Sequence, residues 1–371
     1  MIINRHRVYR GHRSATNELP RLLLFLIVLI LLALLAAFSL LPQYLVYTPD
    51  GVDMVVPMLE ESGRGFELTD VAKPQPYPGE AEASFTVAAP DYSYIDMADA
   101  DRLSYMQGYH VPFSKITESG LESVKNEAQR SGIKGLVMEM KNRDGSLAWA
   151  STVAAASSCG ANGKWDISAE LAELKADGWY LAAELPCAVD TLMATKMPET
   201  ALRDLSGAPY TDGRGTWVDP WNKTVREYIA ELAADLISIG FDEIILTDLE
   251  HPAAEVQYTR EIASGLDHTA CVMNCAIAVR QLMEKTLASS GAHLCAELSH
   301  DALLGTATNG QSFEYFLKVF DRLVIKTTTY QEDAQVFIGA HIDSTLRYVP
   351  QMSWSFSGGS WMLDPTITEE D

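Results

Sequence analysis

Beyond residue 104 the chain alternates short apolar runs with amphipathic segments, and this rhythm predicts its elements. Tyr105 to Val111 reads as a first strand. Thr117 to Gln129 then shows the three-and-four spacing of a helix, which Gly132 closes. Gly135 to Met140 is the second strand. Asp166 caps a helix that carries Ile167, Leu171 and Leu174 inward until Gly178, and Trp179 to Leu185 is the third strand. Asn222 caps the next helix, whose Val225, Tyr228, Ile229, Leu232, Ala233, Leu236 and Ile237 share one buried face. Gly240 ends it, as a glycine able to take the left-handed conformation does, and Ile244 to Leu246 resumes as a strand covered on both faces. A helix from His268 to Ser290 leads to a fifth strand, Ala292 to Leu298, and a helix from Gln311 to Phe320 leads to a sixth, Arg322 to Thr328. Thr345 to Met352 and Gly359 to Leu363 supply the seventh and eighth.

Strands alternating with helices predict βα units and a parallel sheet. Eight of them in roughly 260 residues match a closed (β/α)8 TIM-type barrel, an α/β fold whose active site lies at the C-terminal ends of the strands. The last two units are short, and the helix between them is missing from the pattern. An open doubly wound sheet is the alternative, but no glycine-rich phosphate fingerprint follows the first strand.

Ahead of this region the pattern changes twice. Residues 22–41 are twenty consecutive positions without a charge, the length of a bilayer-spanning helix. Arg5, Arg7, Arg10, Arg13 and Arg21 precede the run and the next basic residue is Arg64, so the N-terminus is expected in the cytoplasm and the rest outside the cell membrane. A cleaved signal peptide is the competing reading, with Ala33, Ala36 and Ala37 near a processing site, but the run exceeds the usual length of such a core. Residues 42–104 turn acidic and lose periodicity around Pro74, Pro76, Pro78 and Pro90, as a linker does. The expected organisation is therefore a basic tail (1–21), a transmembrane anchor in contact with the lipid bilayer (22–41), an acidic linker (42–104) and a barrel (105–371).

The net charge is −22, and since the tail carries five Arg and one Glu for +4, the rest of the chain carries −26. That speaks against a basic surface for nucleic acid and fits a ligand that is a neutral or cationic polymer. Five cysteines, Cys159, Cys187, Cys271, Cys275 and Cys295, cannot all pair within one chain, and no spacing among them or the histidines points to a metal. No cofactor is expected.

Candidate chemistry concentrates where the predicted strands end. The fourth delivers Thr247, Asp248, Glu250 and His251 before Pro252 forces a turn, and the fifth ends in Glu297, Ser299 and His300. The second brings Glu139, Lys141 and the turn Asp144-Gly145, the third Glu184, the sixth Lys326, and the last two Trp354, Trp361 and Asp364. The excursion from Pro186 to Thr216 is too long for a plain connection and is expected to shape a binding site.

Three stretches, Gly135 to Gly145, Gly207 to Asp219, and Asp219 to Pro252 with its WVDPWN opening and GFDEI strand, resemble a known family. It comprises the glycoside hydrolase-type barrels of bacterial, often membrane-anchored, proteins related to the α-amylase type. The resemblance implies a membrane-anchored protein that hydrolyses glycosidic bonds of a poly- or oligosaccharide. Counted back from Pro252, the family's aspartate after the fourth strand falls on Thr247, and Asp248 stands one residue late; Glu250 occupies the position of the family's arginine and His251 that of its phenylalanine. Glycoside hydrolysis needs two carboxyl groups flanking the scissile bond. Asp248 is expected as nucleophile or base and Glu297 as general acid, with Glu250 the substitute for either. Glu139, Lys141, Asp144, Glu184, Asp219 and Asp364 would hold sugar hydroxyls, with His251, His300 and Lys326 beside the carboxylates and Trp217, Trp354 and Trp361 offering flat faces. A barrel that binds surface glycan or a partner protein without cleaving is the second expectation, and an enzyme of other chemistry such as a lyase or deacetylase the third.

Overall fold

The computed structural model of the chain describes residues 45–48, 51–54, 91–257, 268–326, 346–353 and 359–367. The chain divides into two units, residues 1–83 and 84–371. In the first, Leu45–Thr48 and Gly51–Met54 pair as an antiparallel hairpin within the stretch read as linker. The expected anchor, residues 22–41, lies outside the described residues; among those described, no helix is long and apolar enough to cross a membrane.

The second unit is a closed barrel of eight parallel strands: β1 (Gln107–Val111), β2 (Gly135–Glu139), β3 (Tyr180–Pro186), β4 (Glu243–Thr247), β5 (His293–Leu298), β6 (Leu323–Lys326), β7 (Tyr348–Met352) and β8 (Trp361–Leu363). β8 pairs with β1 and so closes the ring. The closed topology settles the choice against an open sheet. In chain order the helices are α1 (Glu118–Arg130), α2 (Ala154–Cys159), α3 (Ser168–Ala176), α4 (Thr191–Lys196), α5 (Lys223–Ser238), α6 (His268–Ser290), α7 (His300–Leu303) and α8 (Phe313–Val319).

Local chemistry sets the ends of these elements. Thr117 caps α1 by accepting from Gly120 N, and Asn222 caps α5 by accepting from Thr224 N. Gly240, at φ +122°, turns the chain from α5 into β4, a conformation that an L side chain resists. The α5 face buries Val225, Tyr228, Ile229, Leu232, Ala233, Leu236 and Ile237, as its periodicity predicts. It also buries Asp235, which accepts hydrogen bonds from Trp149, Ser151 and Thr152 and thereby ties the β2–α2 loop to this helix. Burial is thus satisfied by partners rather than avoided.

Residues just before β1, part of the expected linker, pack onto the barrel. Tyr92 stacks edge-on against Tyr315 and Met97 N donates to Lys318 O. All five cysteines are buried.

Candidate active site

Successive strand residues alternate between the interior and the helical layer. In the middle of the barrel the inward positions are Met106, Val137, Ala182, Ile245, Cys295, Val324, Val349 and Met362, a buried apolar plug. The next inward positions toward the C-terminal ends change character completely. They are Glu139, Glu184, Thr247, Glu297, Gln351 and Asp364, joined on β1, past Gly108, by His110. One period-two register therefore builds a dry plug and, a turn of the pleat above it, a charged floor.

Above this floor lies a cavity of about 110 Å³ lined by Glu139, Lys141, Asn142, Arg143, Glu184, Pro186, Thr247, Asp248 and Glu297. Thr247 is the inward residue of β4, so Asp248, next in line, is due to face outward. Its backbone resolves this. Asp248 has φ +49°, the only non-glycine residue with positive φ among the described residues, and this kink returns its side chain to the cavity. Such a conformation is held only where the surroundings over-determine it. Arg143 supplies that hold: its Nε and Nη2 donate to Asp248 Oδ2 and Oδ1 at 2.7 and 2.9 Å, a bidentate pair. The Asp248 pairing is the first cause that raises the Arg143 pKa above its usual value. Arg143 is placed by the turn after β2, where Gly145, at φ +99°, lies so close to Asp190 that a Cβ there would collide with the carboxylate.

The long excursion after β3 folds back over this pair. Thr211–Asp212 and Gly215–Thr216 form a small hairpin whose tip carries Arg214. Arg214 lies over the Trp217 ring at 4.6 Å, pairs with Glu250, and approaches Asp248 Oδ1 at 3.7 Å. Asn309 donates to the other Glu250 oxygen.

On the opposite side of the floor His110 is the hub of a carboxylate cluster. Its Nε2 is 3.2 Å from Glu184 Oε2 and 3.5 Å from Glu139 Oε1, and its Nδ1 is 3.3 Å from Asp364 Oδ1. Burial opposes a charge on this imidazole, but Glu184, Asp364 and Glu139 outweigh it and raise the His110 pKa well above the usual value. Asp364 is shifted the other way: burial would raise its pKa, and hydrogen bonding with His110 and Thr366 more than offsets this. Gln351 also donates to Asp364.

Of the residues singled out in the sequence, Asp248, Glu297, Glu139, Glu184 and Lys141 are brought together on the cavity. Lys141 is pinned there by Pro186 O at 2.8 Å and Asp190 at 3.0 Å. Asp364 joins the floor through His110. Glu250 lies off the cavity lining, and its carboxylate anchors Arg214. Asp144 closes its own turn by accepting from Ser146 N, and Asp219 does the same before α5 by accepting from Trp221 N. Trp217 packs against Val189 and Leu202 beneath Arg214, and Trp361 belongs to the main core, so neither ring presents a flat face to the cavity. Large aromatics bury wherever a core accepts them. His251 donates from Nδ1 to Pro252 O and stacks on His268 with ring centroids 3.5 Å apart. Burial and the neighbouring His268 push its pKa down to about 4. His300 opens α7. Lys326 ends β6, and Trp354 lies outside the described residues.

Sequence reasoning missed His110, Arg143 and Arg214. The first was legible: it lies four residues after the inward Met106 at the end of a strand, on the inward side. The other two act from loops, where no period exists.

Residues 105–297, more than half of the chain, match the model of the family described as "Putative glycosyl hydrolase domain". The chain belongs to this family. Among solved structures, the glycoside hydrolase domain of PgaB (BpsB) from Bordetella bronchiseptica is similar at a TM-score of 0.51 and 12% identity, over 67% of this chain and 84% of that one. A hypothetical protein from Ruminiclostridium thermocellum is 22% identical over 51% of this chain and 96% of its own, at a TM-score of 0.41. The α-galactosidase TtGalA from Thermus thermophilus is 15% identical over 66% of this chain and 49% of its own, also at 0.41. No curated protein matches. The glycosyl hydrolase family and the PgaB-like fold agree with the closed barrel seen here, and the matched residues end at Glu297 in β5, so they include Asp248 and Glu297.

Proposed function

We propose that this chain is a glycoside hydrolase acting outside the cell from a membrane anchor at residues 22–41, with Asp248 and Glu297 as its carboxylate pair. One observation carries the reading: both residues line the same cavity at the C-terminal ends of the neighbouring strands β4 and β5, despite the one-residue offset of Asp248 in sequence. Adjacent strands lie about 4.8 Å apart. Two carboxyl groups on such neighbours can flank one glycosidic bond.

The two take different roles in this chemistry. Asp248 is gripped by a bidentate guanidinium with a second nearby, so it is presented as an anion aimed at one place. That suits the group that attacks the anomeric carbon or activates the water that does. Glu297, on the same cavity at the end of β5, is the group to donate a proton to the leaving oxygen. Lys141, Glu139 and Glu184 border the same space and would hold sugar hydroxyls. The acidic charge of the chain favours a neutral or cationic glycan over an anionic one.

A glycan-binding barrel without turnover is the second reading, favoured by the double guanidinium occupancy of Asp248. Incubating the full chain with a panel of poly- and oligosaccharides separates the two. Reducing ends released by the wild type and lost in Asp248→Asn and Glu297→Gln, with glycan binding retained, supports hydrolysis; binding without release in the wild type supports the second reading. Protease digestion of intact cells that cuts the barrel and spares the N-terminal tail would support the membrane topology.

A further inference from the structure

The mouth of the barrel is over-supplied with negative charge. Glu139, Glu184 and Asp364 converge on the single His110, while the one arginine on the cavity is committed to Asp248 and Lys141 is paired with Asp190. Distances inside this cluster are uneven. The 3.2 Å from His110 Nε2 to Glu184 is a long hydrogen bond, and the 3.5 Å to Glu139 lies outside the usual range. Two ligands on one tetrahedral ion, each at about 2.1 Å from it, stand about 3.4 Å apart. The His110, Glu139 and Glu184 ligand atoms all lie within 4.8 Å of one another.

A second, independent feature points the same way. Glu184 is 95% buried as judged by its 5% exposure, lines the cavity, and its Oε1 has no hydrogen-bond partner. An unpaired carboxylate oxygen in such a place costs free energy unless something fills the space beside it. Glu139 is oriented too: its Oε2 accepts from Phe113 N at 2.8 Å, leaving Oε1 toward the imidazole.

We propose that His110 Nε2, Glu139 and Glu184 bind one divalent transition-metal ion, with Asp364, whose Oδ1 stands 3.3 Å from His110 Nδ1, behind the imidazole as the positioning residue. One imidazole and two carboxylates suit zinc or manganese. A carboxylate behind a ligating histidine fixes its tautomer and orientation. Three protein ligands leave at least one coordination position open, on the side where Glu139 and Glu184 border the cavity, for a water or a sugar hydroxyl. The site rests on the ends of β1, β2 and β3 and stands whether or not the barrel hydrolyses glycans.

The test is metal binding itself. Full-chain protein stripped with a chelator is titrated with Mn²⁺, followed by loss of the free-ion paramagnetic signal, and Zn²⁺ is then added as competitor. The expected result is one saturable ion per chain, displaced by Zn²⁺, with affinity reduced at least about tenfold in His110→Ala and Glu184→Gln and about tenfold to a hundredfold in Asp364→Asn. Glu139→Gln, at a carboxylate 40% exposed, gives a variant whose folding is least at risk, and it too should lose affinity. A chain of net charge −22 also attracts cations weakly at many places. If the wild type shows only that weak, salt-sensitive uptake, or if a well-folded Glu139→Gln and His110→Ala bind as tightly as the wild type, the site does not exist.

Discussion

The two ends of the barrel interior carry similar residue types and do opposite things with them. At the N-terminal end Tyr180, Glu243 and Arg322 occupy inward positions below the apolar plug: Tyr180 donates to Glu243 Oε2 at 2.6 Å, and Arg322 stands 3.5 Å from the same oxygen. Glu243 and Arg322 are fully buried, and one acid faces one base. At the C-terminal end, Glu139, Glu184, Asp248 and Glu297 line a cavity whose lining holds two cations, Lys141 and Arg143, and Asp364 stands behind His110. The closed end balances its charge internally. The open end leaves charge to be balanced by whatever binds there, and that imbalance marks function in a fold whose two ends share one alternating register.

The largest effect should come from breaking the closed end. Arg322→Met leaves Glu243 buried without its base, and stability measured by chemical denaturation should fall by about 3 to 5 kcal/mol, while the folded fraction keeps wild-type glycan binding. A loss of binding instead would mean that the two ends are coupled through the plug. A smaller effect separates strain from chemistry at the open end. Asp248→Ala and Asp248→Gly both remove the carboxylate, but only glycine accepts φ +49° freely, so the glycine variant should be the more stable by about 1 to 2 kcal/mol. Equal stabilities would mean that the chain relaxes out of the left-handed conformation once Arg143 lets go.

The smallest effect is a pH dependence near the open end. The His251 pKa is lowered from 6.5 in the unfolded chain to about 4 in the fold, so the unfolded state takes up the proton first. Its contribution to stability is present above pH 6.5 and is lost as pH falls toward about 4. His251→Phe should flatten the fall in denaturation midpoint over that window. An unchanged slope would place the acid sensitivity elsewhere.

Most of the scaffold was readable because burial imposes a period. The continuous run Ile244 to Leu246 is covered on both faces, the α5 stripe repeats at three and four, and Asn222 and Gly240 mark that helix's ends. The site was legible in part. Glu139, Glu184 and Glu297 sit where an inward strand position reaches the mouth, so strand ends alone found them. Asp248 looked displaced because a sequence does not display φ, and a single left-handed residue undoes a one-place shift. Arg143 and Arg214 come from loops whose course depends on contacts far along the chain, including the fit of Gly145 against Asp190. Trp217 and Trp361 carry no sign in the sequence of whether a ring faces core or solvent.

The central claim is that the open end cleaves glycosidic bonds through Asp248 and Glu297. Its most direct test is the rate of reducing-end release from a glycan that the wild type cleaves, compared with Asp248→Asn and Glu297→Gln, both near-isosteric. Asparagine also tolerates the left-handed backbone. Each variant should lose about 10² to 10⁴ in turnover with glycan binding retained. Turnover at the wild-type rate in either variant would contradict the account.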